Sequence, residues 1–79
     1  MKIGTLVKPT EDMYPKKDEY IHNLRYGNPI GSSCGFQFTR GEVGTVLDLH
    51  TSKSYGVFFK ILTPKGVGWV RWDWIEVIS

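Results

Sequence analysis

Ser33 lies in Gly31-Ser32-Ser33-Cys34-Gly35, which fits the G-x-S-x-G pattern of serine hydrolases. In those enzymes the serine sits on a strained strand-to-helix elbow of a large α/β sheet, followed by acid and histidine partners. A chain of 79 residues cannot build that sheet, and no helical pattern follows Ser33. The segment therefore reads as a flexible Gly/Ser loop. Cys34 with His22 or His50 could form a thiolate pair, yet no local motif supplies the orienting third group that such a pair needs. The two histidines lie far apart with no carboxylate at ligand spacing, so no metal site is expected. Glu11-Asp12 and Asp18-Glu19 could hold a cation or do acid–base work. Beside Lys16 and Lys17 they read as solvated charge. Gly66-Val67-Gly68 is too short to cradle a phosphate, and no P-loop or dinucleotide fingerprint is present. The chain is expected to be no enzyme and to carry no cofactor.

Aromatic residues offer more. Trp69, Trp72 and Trp74 fall within six residues of one another near the end of the chain. Trp, Tyr and Arg are enriched in binding hot spots. A partner-binding surface is therefore expected among Tyr14, Tyr20, Tyr26, Tyr55, Trp69, Arg71, Trp72 and Trp74, with one or two of the tryptophans spent on the core.

The elements that must position these residues are small. One domain spans 1–79, and a domain of this size buries only about 60% of the surface of its unfolded chain. The composition, 41% hydrophobic and 14% aromatic, suits a core made from a few large side chains. Cys34 is the single cysteine, which excludes an internal disulfide. No apolar run reaches signal-peptide or membrane-helix length, so a cytoplasmic protein is expected. The formal net charge is +2, and the signs are interspersed along the chain. No basic run gathers phosphates, although folding could unite Lys53, Lys60, Lys65 and Arg71.

Five short strands are expected: residues 2–7 (KIGTLV), 42–49 (EVGTVLDL), 55–62 (YGVFFKIL), 67–71 (VGWVR) and 75–78 (IEVI). Residues 63–66 (TPKG) form a turn, and 72–74 (WDW) a short 3₁₀-like turn. Gly4, Gly44, Gly56 and Gly68 interrupt the strand runs, where bends or bulges are expected. Residues 55–62 are apolar on both faces, so one face is core and the other needs a cover or is a site. Residues 8–41 form a long irregular insertion. Within it 18–25 (DEYIHNLR) suit about two helical turns, with Asp18 as N-cap and Tyr20, Ile21 and Leu24 on one face. Residues 36–39 suit a short strand.

The order KIGTLVK, long loop, GEVGTVLDL, strand pair, GWV and IEVI resembles the SH3-like small barrels, which open with K-x-G-x-x-V and close with W-V…L-E-V-I. Small proteins of tailed bacteriophages often have this form. The SH3-like photosystem I subunit and the variable subunit of ferredoxin–thioredoxin reductase are similar in outline. The resemblance covers 2–7 and 42–78. It implies an all-β, five-stranded SH3-like barrel and carries fold more than activity. The expected function is a non-catalytic protein-interaction or structural module. If phage-encoded, it would act on a host protein in the host cytoplasm or serve as a minor virion component. The alternative is a nucleic-acid-binding barrel. Exposed strand edges would also permit pairing with a second copy into a homo-oligomer.

Overall fold

The computed structural model describes residues 2–27 and 36–78. Five antiparallel strands and one short helix follow in chain order: β1 (Leu6–Pro9), α1 (Asp18–Tyr26), β2 (Gly44–Ser52), β3 (Gly56–Thr63), β4 (Gly66–Arg71) and β5 (Ile75–Val77). A 3₁₀ turn, Trp72–Trp74, joins β4 to β5. The sheet order is β4-β3-β2-β1-β5. β4 and β5 thus stand at opposite edges and do not pair, so the sheet is open. Three residues of 3₁₀ turn rise only about 6 Å. The two edges must therefore approach at one corner, and the sheet curls without closing.

Two hairpins build the meander β2-β3-β4. In the first, Lys53, Ser54 and Tyr55 link Ser52 to Gly56, which are paired. Gly56, the paired residue that follows this loop, has φ +80°, a left-handed conformation that glycine adopts without steric cost. In the second, Pro64 and Lys65 link the pair Thr63 and Gly66. The Thr63 hydroxyl closes this turn, donating to the Gly66 carbonyl at 2.9 Å. β1 is central to the second half of the sheet, pairing with β2 through Leu6 and Thr45 and with β5 through Val7 and Val77.

Several boundaries differ from expectation. Residues 2–5 are not strand: Lys2 and Thr5 close a turn, with the Lys2 N–H donating to Thr5 Oγ1 at 3.1 Å. The bulge falls between Val46 and Asp48, at Leu47, and not at a glycine. Residues 36–39 contribute one bridge, Phe38 opposite Met13, and not a strand. The helix begins at Asp18, but Lys17 occupies the N-cap and makes no side-chain cap bond. Asp18 is committed elsewhere, as described below. The Gly/Ser loop at 31–35, with Ser33 and Cys34, lies outside the described residues.

Cross-strand pairing assigns each side chain a face. The inner face carries Val7, Val46, Phe59, Ile61, Val70 and Ile75, and Phe38 and Met13 of the long insertion cover it. Phe38, Ile61, Val7 and Val70 have no solvent exposure, and each such side chain contributes about 1.5–3 kcal/mol by leaving water. The outer face carries Phe58 and Trp69, which α1 covers with Tyr20, Ile21 and Leu24. Farther along that face, Leu62 and Val67 remain exposed.

The insertion is tied to the sheet as a strap. Met13 and Phe38 exchange backbone hydrogen bonds of 3.0 and 2.7 Å, and Lys16 and Trp69 exchange two of 2.7 Å. The second pair lies on the outer edge of β4. Gly68 makes this possible: a Cβ there would stand 2.6 Å from Pro15 Cβ.

Candidate docking site

The strap and the 3₁₀ turn enclose a cleft of about 250 Å³, lined by Glu11, Asp12, Met13, Tyr14, Lys16 and Trp74. Each wall has a local cause. Met13 is anchored by its bridge to Phe38 and forms an apolar floor. Pro15 is buried against β4, which turns its neighbour Tyr14 out to solvent at 53% exposure. Asp12 is fixed where its Oδ1 accepts the Arg40 N–H at 3.0 Å. Trp74 is held from below, packed against the inner core. It is also held from the side, where the Arg71 guanidinium lies 5.9 Å from its ring centroid. Arg71 is itself steadied by Asp73: Nη2 donates to Oδ2 at 3.2 Å. Its Nε also lies 3.2 Å from Oδ1, but out of line for a hydrogen bond. The cleft thus offers two aromatic surfaces beside two carboxylates. It has the makings of a binding surface, and the described residues that line it hold no nucleophile–base pair.

The eight aromatic and arginine candidates separate into four places. Tyr14 and Trp74 share the cleft, with Arg71 against Trp74. Trp72, 55% exposed, lies over Gly56, next in the chain to exposed Tyr55. Tyr26 packs its ring 4.8 Å from that of His22 on the helix. Trp69 and Tyr20 are structural. Trp69 is only 6% exposed, because α1 covers it, and its indole N–H donates to Asp18 Oδ1 at 2.7 Å. Tyr20 leans on Phe58 at 5.8 Å. These two residues belong to the helix–sheet contact and not to an exposed rim.

Asp18 is the residue that sequence reasoning misplaced. Its Oδ1 accepts from Trp69 and lies 3.6 Å from Lys60 Nζ, so it pins the helix to β3 and β4. Nothing local marks it, since its partners are far along the chain. Glu11 and Asp12, which read as solvated charge in the sequence, line the cleft, and Met13 beside them carried no sequence signal as a site residue. Only the spacing Met13-x-Pro15 hinted at a strap, with an apolar residue and a proline on the same side of an extended segment.

Other chemistry is sparse. Among the described residues no three His, Cys, Asp or Glu side chains converge as metal ligands. His50 meets Arg25, not His22. Glu42 is the perturbed carboxyl. The Thr39 backbone N–H above all, then the Thr39 hydroxyl and the Lys65 ammonium, hold it below its ordinary value. This group clamps the end of the insertion, accepting from Thr39 and facing Lys65. No helix of the described residues is long and apolar enough to cross a membrane. No family model, no curated protein and no solved structure matches the chain.

Proposed function

We propose that this chain is a non-catalytic protein-interaction module of SH3-like type, which docks an extended partner segment in the Tyr14–Trp74 cleft. The fold part of this reading is supported by the strand order and by the 3₁₀ turn between the last two strands. Both fit an SH3-like barrel whose long first connection doubles back beside that turn. The single observation that carries the function is the cleft itself, where Tyr14 of the strap and Trp74 of the 3₁₀ turn line one space with the carboxylates of Glu11 and Asp12 and the ammonium of Lys16. Aromatic faces receive proline or aliphatic side chains of an extended peptide, and carboxylates select a flanking Lys or Arg. The resemblance to small phage proteins supports a host protein or a neighbouring virion component as the source of that segment.

The nucleic-acid reading has less behind it. Of its four cations, Lys60 faces Asp18, Lys65 faces Glu42 and Arg71 faces Asp73, at 3.2–3.6 Å. Cations neutralised in this way release few counterions on meeting phosphates.

Display of proline-containing peptides with and without flanking Lys/Arg tests the proposal. Basic peptides should bind, and Tyr14→Ala should weaken them about tenfold or more, as expected for a hot-spot aromatic. Equal binding of acidic and basic peptides, or none by either, would overturn it.

A further inference from the structure

A second cleft, of about 360 Å³, opens where the last turn of α1 meets the hairpin end of β2. Arg25, His50, Thr51, Ser52, Lys53 and Ser54 line it. Its chemistry is one-sided: two cations, an imidazole and three hydroxyls, with no carboxylate. Lys8, Lys60, Lys65 and Arg71 each face an acidic side chain within 4.0 Å. Among the described residues neither Arg25 nor Lys53 does. Asp48 lies on the neighbouring cleft that Arg25 also borders, and its Oδ1 accepts the Leu49 N–H.

Two groups of this cleft have their bonding set by neighbours. Arg25 Nη2 lies 3.4 Å from His50 Nδ1. A guanidinium only donates, so Nδ1 is the acceptor in this contact. Ser52 Oγ accepts the N–H groups of Ser54 at 3.3 Å and Tyr55 at 3.2 Å. Both of its lone pairs are thereby used, and its own O–H is left to donate. A guanidinium fork, an ammonium and a hydroxyl around one space match a tetrahedral oxyanion, and charge-assisted hydrogen bonds to it are the strong kind.

We infer that this cleft binds a single phosphomonoester group, with Arg25 and Lys53 as its cationic contacts and Ser52 as a hydroxyl donor. A nucleic-acid backbone fits less well, because the cations that would follow successive phosphates are held by Asp18, Glu42 and Asp73. The site lies apart from the Tyr14–Trp74 cleft and stands or falls without it.

Amide NMR titrations at constant ionic strength test the inference, with inorganic phosphate, a phosphoserine peptide, its unphosphorylated counterpart and an oligothymidylate as probes. Inorganic phosphate and the phosphopeptide should give saturable shifts centred on residues 50–55, and the unphosphorylated peptide none. A tighter phosphopeptide identifies a modified protein as the source, whereas equal affinities identify a small phosphate compound. Arg25→Ala and Lys53→Ala should each weaken binding about tenfold, the loss of one hydrogen bond to a charged group. Both side chains are exposed, and the same spectra report whether the variants fold. Non-saturable shifts, unchanged affinity in both variants, or binding of the oligothymidylate alone would overturn it.

Discussion

The two faces of the sheet bury apolar surface by different means. On the inner face, side chains from β1 to β5 converge and Phe38 and Met13 of the insertion close over them, leaving all of them buried. On the outer face one nine-residue helix covers Phe58 and Trp69, and its position depends on Asp18. The inner face is held by volume filling from many directions. The outer face is held by a few apolar contacts and one polar junction. A helix of this length has little stability of its own in water, so removing its anchor should release it while the sheet persists.

The largest effect should come from Phe38→Ala, which empties the inner face at the point where the insertion enters it. A loss of about 3–5 kcal/mol is expected in urea unfolding. A smaller loss, confined to local exchange, would show that the inner face is not the cooperative core. Gly68→Ala follows. Its new methyl meets Pro15, so the strap must shift, at a cost of about 1–3 kcal/mol. Proteolysis between residues 10 and 17 should quicken in this variant. Asp18→Ala removes the acceptor of the Trp69 indole and the partner of Lys60, costing about 1–2 kcal/mol. Hydrogen exchange should speed up across Asp18–Tyr26 and stay unchanged in β3. Uniform acceleration would mean that the two faces unfold as one unit.

The smallest effect concerns acid. The carboxyl of Glu42 is held below its ordinary value of 4.5. A depressed carboxyl contributes stability that is full above its unfolded pKa and disappears as pH falls through its lower folded pKa. Stability should therefore decline below about pH 4.5, and Glu42→Gln should flatten part of that decline. An unchanged acid limb in the variant would show that Thr39 and Lys65 do not tune this group.

The hairpins were legible in the sequence because their signals are local. Pro64 and Gly66 bracket one turn, and the polar run ahead of Gly56 marks the other. The 3₁₀ turn at Trp72–Trp74 was legible for the same reason. What failed depends on distant partners. Asp18 looks like a cap until Trp69 is placed beneath it, and Trp69 looks like a rim residue until the helix covers it. The bulge at Leu47 escaped because glycine, the usual local sign, is absent there. The candidate cleft joins residues 11–16 to Trp74, a pairing with no trace in periodicity.

The pairing of β1 with β5 has a consequence in time. β2, β3 and β4 follow one another through short turns, so their contacts close small loops and can form early. Val7 opposite Val77 closes nearly the whole chain at once. Loop-closure entropy delays such contacts, and topology of this kind slows folding. The rate-limiting step should therefore be the capture of β1 by an existing meander, with Val46 and Ile61 structured in the transition state and Val77 not. Truncating these side chains should slow folding at the first two sites and speed unfolding at the third.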